Sequence, residues 1–228
     1  MFLGPLLHEF DEFKLPMCHL LNASVCEEMP QIPARIRKRG DEVIGHGYTN
    51  SERQSDMDEA TEAAMIAQAT KTLAESCGRR PYGWMGPWIS ETATTPDLLQ
   101  ENGYTFLMDW PADDQPFWMK TRKGRIMSVP YPIEINDTPT MLSRAQPATD
   151  FNRMILDQFE EMLRLSKNQS LVFGISMHTF CTGQPFRLAQ VRQALQTLLQ
   201  HPGFDKVWVT TPGGIADHAA KLPASCVP

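Results

Sequence analysis

Gly40-Asp-Glu-Val-Ile-Gly-His46-Gly-Tyr-Thr-Asn50-Ser-Glu52 is the stretch that decides how the chain is read. Glu42-Val-Ile44 is a short run with β-branched residues and reads as a buried strand. Gly45 and Gly47 bracket His46 where that strand ends. Glycine at such a place lets the backbone turn sharply or lets a ligand approach it closely. A histidine there points its ring into whatever lies beyond the strand ends. Taken alone, it serves equally well as the cap of a strand-to-loop turn.

Outward from this stretch, strands and helices alternate. Before it come an amphipathic helix over 5–13, an apolar strand over Met17–Leu21, and a helix over 23–40 broken by Pro30 and Pro33. His19, inside the apolar strand, reads as a core histidine. After it, Ser55-Asp56 caps a long helix through Cys77, which Gly78 stops. A short strand over Arg80–Trp84, a helix from Thr95-Pro96 to Asn102 and a strand over Tyr104–Asp109 follow. Phe117–Lys120 and Ile126–Val129 are strands about a tight turn. Then come a helix over 150–167, a strand over Leu171–Met177, a helix around Leu188–Leu199, a strand over Lys206–Thr210 and a last helix over 214–221. The strands are apolar throughout rather than alternating, the mark of a parallel sheet covered by helices. No linker or repeat interrupts the pattern, so residues 1–228 read as one domain.

Composition narrows the function classes. The 228 residues carry 42% hydrophobic and 21% charged side chains with a net charge of −6, ordinary values for a chain with a sizeable core. The short basic run Arg35-Ile-Arg-Lys-Arg39 belongs to a helix end and marks no nucleic-acid partner. No apolar run approaches the roughly 20 residues of a membrane helix. The first residues lack the basic start of a signal peptide. The five cysteines are odd in number and show no CxxC spacing, which fits a reduced, cytoplasmic protein.

Polar and aromatic residues collect at the expected strand ends: His46 and Asn50; Arg80 and Trp84; Asp109, Trp110, Asp113 and Asp114; Asn136 and Asp137; and His178. Each alone has a bland account as a surface charge or a turn. In a parallel α/β barrel all such ends open on one face, where enzymes of that build carry their sites. Four of the five tryptophans, Trp84, Trp88, Trp110 and Trp118, fall close together in the chain. They make either a core cluster or a stacking wall for a sugar or planar ring.

These residues resemble the motifs of the polysaccharide deacetylase (NodB-homology) family. Gly45-His-Gly-Tyr-Thr-Asn50 aligns with its second motif, normally H-[ST]-x-x-H. Arg80-Pro-Tyr-Gly-Trp84 resembles the third, Asp109-Trp110 the start of the fourth, and Ser176-Met-His178 the fifth. The stretch Asp109–Trp118 and Ile135-Asn-Asp137 look more like the allantoinase-like, ureide-hydrolysing branch. The resemblance implies an α/β fold, a distorted (β/α) barrel of parallel strands, over nearly the whole chain. The family's metal enzymes hold a divalent ion with an aspartate from the first strand and two histidines of the second motif. Here Asn50 stands at the second histidine, and an amide oxygen is a poor zinc ligand. The first strand, with its acidic motif, is missing before residue 5. The expectation is therefore no metal and no cofactor.

The resulting hypothesis is a hydrolase of non-peptide carbon–nitrogen bonds acting on a small-molecule amide, ureide or N-acetyl sugar. Such hydrolysis needs an activated water, an oxyanion stabiliser and a proton donor for the leaving nitrogen. His178 is expected to be the general acid, Asp109 or Asp113 the base or orienting carboxylate, and Arg80 the fork that fixes a carbonyl or carboxylate. His46, Asn50, Trp84, Trp88, Trp110, Asp113, Asp114, Asn136 and Asp137 are the expected substrate contacts. The competing hypothesis is a truncated or degenerate barrel that binds a ligand without catalysis. A nucleotide-binding reading has only Thr211-Pro-Gly-Gly214 behind it. A missing first strand would leave Met17–Leu21 and Lys206–Thr210 with open edges, which predicts association into a homo-oligomer.

Overall fold

The computed structural model describes residues 3–223 and 225–228. In chain order these form α1 (Leu3–Glu12), β1 (Cys18–Leu21), α2 (Ala23–Glu28), α3 (Gln31–Arg39), β2 (Glu42–Gly45), α4 (Glu59–Cys77), β3 (Gly83–Trp84), α5 (Thr95–Glu101), β4 (Phe106–Leu107), β5 (Phe117–Thr121) and β6 (Gly124–Ser128). Then follow α6 (Ala148–Leu165), α7 (Thr179–Thr182), α8 (Pro185–Gln200) and α9 (Pro212–Ala219). They group into two compact units. One holds the N-terminal segment through Leu15 together with Pro130–Val209; the other holds Pro16–Val129 and Thr210–Pro228.

The second of these carries the sheet, in the order β1-β2-β3-β4-β6-β5. Every pairing is parallel except the β5–β6 hairpin, which is antiparallel. The sheet is open, with β1 and β5 at its edges. Asp41 ties the start of β1 to that of β2: its carboxylate lies 2.9 Å from His19 Nε2 and 2.6 Å from Arg39 Nε. Burial alone would raise that carboxyl, but the two cationic-capable partners hold it below its ordinary value. His19 is thus a structural residue. The core beneath the sheet is built from Val43, Ile66, Leu73, Trp84, Leu99 and Leu107, among others.

α4 begins later than the sequence predicts. Asp58, not Ser55 or Asp56, is its N-cap and accepts from Thr61 N–H at 2.8 Å, while residues 54–56 make a 3-10 turn. The cap contributes about 1 kcal/mol. Ile66 and Leu73 are fully buried, and each contributes about 1.5–3 kcal/mol. Packing therefore outweighs capping in holding this helix.

The other unit is mainly helical. α6 and α8 pack on each other through apolar stripes that include Phe151, Ile155 and Phe159 on one and Leu188, Val191 and Leu195 on the other. Glu9 of α1 is buried and paired with Arg192 of α8, Arg192 Nε to Glu9 Oε2 being 2.7 Å. Two expected strands differ here. Residues 171–177 are half-buried and form a single parallel bridge, Ser176 with Asn136. Residues 207–210 join no strand; Trp208 is 59% exposed and Val209 41%. An apolar run promises burial, but a strand also needs a neighbour that offers successive N–H and C=O groups.

Candidate active site

Register places the first group of residues. Leu21 lies opposite Gly45, so β1 and β2 end level, and Asn22 and His46 follow side by side. Asn22 Nδ2 donates to the His46 carbonyl, and His46 N–H donates to Leu21 at 3.2 Å. His46 Nδ1 is 2.6 Å from the Met85 carbonyl. A carbonyl only accepts, so Nδ1 carries the hydrogen and the ring is oriented by the end of β3. Gly47 has φ of 67°, and a Cβ there would meet Pro87 Cγ at 2.7 Å. Glycine is required at this turn on both counts.

Beyond β3 the chain runs over Gly86 to Glu91 and carries stored strain. Trp88 and Ile89 are consecutive non-glycine residues at φ of 65° and 55°. Left-handed backbone of that kind costs roughly 1–2 kcal/mol per residue. Trp88 is held by its Nε1–H, which donates to the Asn50 carbonyl at 2.9 Å, and by Arg53, 5.0 Å from the ring centroid. The indole remains 62% exposed.

Asp109 follows β4 and is buried. Its Oδ1 accepts from Gly86 N–H at 2.7 Å, and its Oδ2 is buried without a partner. Burial, and then the charge of Glu91, push this carboxyl well above its ordinary value. Glu91 Oε2 accepts from Trp110 Nε1–H at 2.5 Å, and its Oε1 is also buried without a partner. Burial drives the Glu91 carboxyl up to about 7, against the opposing Trp110 hydrogen bond and with a smaller push from Glu62.

The helical unit holds a separate constellation. Asp137 is fully buried, and its carboxylate is saturated. Oδ1 lies 2.7 Å from His178 Nδ1; Oδ2 accepts from the His178 backbone N–H at 2.8 Å and from Thr182 Oγ1 at 2.5 Å. Burial would raise Asp137, but the His178 and Thr182 hydrogen bonds outweigh it and hold it below its ordinary value. Asp137 is therefore ionised at neutral pH, the hydrogen sits on His178 Nδ1, and Nε2 is left for proton exchange. The imidazole side chain is 39% exposed. Asn136 is buried beside this pair, its Nδ2 donating to Tyr131 Oη at 3.2 Å, and Tyr131 Oη lies 2.7 Å from Ser176 Oγ.

Several expected contacts lie elsewhere. Trp84 is fully buried, donates to Gln54 Oε1 at 2.9 Å and stacks edge-on with Tyr104, so it is core and not a stacking wall. Arg80 precedes β3 and sits at the opposite end of the strand from Met85. Its guanidinium is taken up by the carbonyl of Asn102, which caps α5, and lies 5.5 Å from the Tyr104 ring centroid. Asp113 accepts from Gln115 N–H at 3.2 Å and, with Asp114, forms a solvated turn. Trp110 is half exposed and bound to Glu91. Asn50 is exposed. Glu91 and Thr182 escaped the sequence reading: Glu91 is one acid in a polar loop, and Thr182 has only its spacing of four from His178.

The donors around His46 do not fit a resident divalent ion. Asn50 offers an exposed amide, and among the described residues no group of three His, Cys, Asp or Glu side chains is placed to hold one.

No family model matches the chain. A curated peptidoglycan deacetylase of Helicobacter pylori is 22% identical over 237 residues, covering 90% of this chain and 79% of that protein. Among solved structures, Puue allantoinase superposes with a TM-score of 0.86 at 26% identity, over 97% of this chain and 73% of that one. A "probable Polysaccharide deacetylase" from Pseudomonas aeruginosa PAO1 also gives 0.86 at 26% identity, over 94% and 71%. The fold is accordingly α/β with a parallel sheet, the build of these barrel-type neighbours, with the sheet open in this chain.

Proposed function

We propose that this chain, a member of the polysaccharide deacetylase (NodB-homology) family, is a hydrolase of carbon–nitrogen bonds other than peptide bonds, acting on an amide or ureide as one domain over residues 1–228. The observation that carries the reading is the Asp137–His178 pair. An ionised carboxylate with all its bonds satisfied fixes the imidazole tautomer at 2.7 Å and leaves Nε2 to act. In the proposed reaction water adds to the carbonyl carbon and passes a proton to His178 Nε2, and as the carbon–nitrogen bond breaks Nε2 gives that proton to the departing nitrogen, leaving the acid and the free amine. Within the sheet-bearing unit, taken by itself, Asp109 is the candidate orienting carboxylate. Burial and the charge of Glu91 raise its affinity for a proton. Trp88 and Trp110, both exposed, are the candidate planar contacts.

A ureide is favoured over an N-acetyl sugar by the likeness to an allantoinase and by the poor metal-donor set at His46 and Asn50. The free cysteines fit a reducing compartment. The test is hydrolysis of allantoin-like ureides and of N-acetylated sugars by the purified chain, with and without added zinc. Ureide turnover without zinc is the expected result. Ligand binding without turnover on any substrate would favour the second reading, a barrel that binds and does not catalyse.

A further inference from the structure

Three acids stand close together in the sheet-bearing unit, and they are treated differently. Glu62, on α4, is fully buried and satisfied: Oε1 accepts from Gln54 Nε2 at 2.7 Å and from Thr95 Oγ1, and Oε2 accepts from Thr92 Oγ1 at 2.5 Å. Glu91 and Asp109 each receive one hydrogen bond at one oxygen, and each leaves the other oxygen buried with no partner. Among the described residues neither forms an ion pair. Leaving a buried polar atom unpaired costs about 1–3 kcal/mol. A structural acid such as Glu62 shows how the fold satisfies such groups when it needs to.

The two orphan oxygens belong to one patch. Glu91 is bonded to the indole of Trp110, the residue after Asp109, and Asp109 is bonded to Gly86, five residues before Glu91. Between them run Trp88 and Ile89, the strained segment. Strain and unpaired buried atoms persist where the surroundings enforce them, and they cluster at sites that receive a ligand.

We propose that Glu91 and Asp109 form one ligand-facing carboxyl pair that offers its two unpaired oxygens to the N–H and C=O groups of an amide or ureide. Two carboxylates, each with a buried unpaired oxygen and no cation paired to it, cannot both stay ionised cheaply, so the pair keeps a proton and titrates as a unit. Holding one proton, it presents a donor and an acceptor, the complement of an amide edge. Burial and the charges facing the pair, Glu62 from α4 on Glu91 and Glu91 on Asp109, act in that direction. Glu91 is thereby a specificity-determining residue that no motif marks. The inference rests on the hydrolase reading for the identity of the ligand, not for the pair itself.

The Trp110 indole N–H and the Gly86 amide N–H report the two carboxyls directly, one hydrogen bond away from each. In a 15N–1H NMR titration of the full chain, the Trp110 indole signal (assigned with Trp110→Phe) is expected to move with a midpoint near 7. In Glu91→Gln, which keeps the acceptor for the indole, the Gly86 midpoint is expected to fall. Allantoin, as the ureide probe, should shift both signals in the wild type, and acetate should not. An indole midpoint near the ordinary glutamate value of about 4.3, or a Gly86 titration unmoved by Glu91→Gln, overturns the pair. Titrations as expected with no response to allantoin overturn its role toward the ligand. Absent hydrolysis with both signals responding would instead count against the hydrolase reading.

Discussion

Asp137 grips His178 at two points: one carboxylate oxygen lies 2.7 Å from the ring Nδ1, and the other accepts the histidine's own backbone N–H at 2.8 Å. A single buried acid thus sets the position of the main chain, the orientation of the ring and its tautomer together. Thr182 completes the arrangement from the last residue of α7, donating to Oδ2 at 2.5 Å. The parallel bridge between Asn136 and Ser176 brings the two halves into register, because Asp137 and His178 lie just beyond its partners.

If this pair transfers the proton, His178→Ala lowers kcat by roughly 10²-fold or more, the usual scale for a general acid. Asp137→Asn frees the ring to adopt the wrong tautomer and lowers kcat comparably, with KM changing far less. Stopped-time assays of ureide hydrolysis measure both. Near-wild-type turnover in His178→Ala would remove the residue from the mechanism.

Arg80→Ala is expected to act on stability. The guanidinium holds the carbonyl that ends α5 and lies over Tyr104. Losing a charged hydrogen bond of this kind costs about 1.5–3 kcal/mol. Thermal melting should therefore register the change while KM stays close to wild type. A large rise in KM with an unchanged melting temperature would return Arg80 to the substrate.

The parallel α/β sheet was legible because parallel strands are apolar along their whole length, and β1 and β2 fall where Met17–Leu21 and Glu42–Gly45 lead one to look; that it stays open rather than closing into a barrel was not. The positions of His46, Asp109 and His178 at the ends of such runs were legible for the same reason. Partner choice was not. Nothing in Arg80-Pro-Tyr-Gly-Trp84 says that the arginine turns back to a helix end, or that the tryptophan faces the core. Glu91 was invisible, because its character comes from burial beside an acid 18 positions further along the chain, a distance that sequence periodicity does not reach. The apolar run over 171–177 misled in the other direction, promising a ladder where only one bridge forms.

The donor set around His46 leads to a metal prediction. Nδ1 is bonded to the Met85 carbonyl, which leaves at most one ring nitrogen as a donor, and Asn50 adds only an exposed amide, a poor zinc ligand beside imidazole. Chain dialysed after exposure to zinc should retain far less than one equivalent by elemental analysis. About one equivalent per chain would overturn the argument from Asn50.

Close packing at β3 makes a further prediction. A Cβ on Gly83 would stand inside the Phe106 ring, which is itself buried at 1% exposure on the paired strand β4. Overpacking of this kind costs about 1–3 kcal/mol. Gly83→Ala should lower the melting temperature by several degrees, and a companion Phe106→Leu should recover part of the loss. An unaffected Gly83→Ala protein would mean that β3 and β4 do not pair in the stated register.

The last prediction concerns stability against pH. Glu91 binds its proton up to about 7 in the folded chain, against roughly 4.3 in the unfolded one. Between those values the folded state holds more protons than the unfolded state, so stability falls as pH rises through the window. Glutamine is neutral in both states and removes the dependence, while its amide oxygen still accepts from Trp110. Relief of the charge on Asp109 acts in the same direction, because that carboxyl is raised partly by Glu91. Glu91→Gln should therefore melt close to wild type at pH 5 and above it at pH 8. Each 1 kcal/mol gained appears as about 2–4 °C in a chain of this size. Scanning calorimetry at the two pH values reads the difference directly. An equal offset at both would show that Glu91 titrates in the ordinary carboxylate range, and that its unpaired oxygen is open to water.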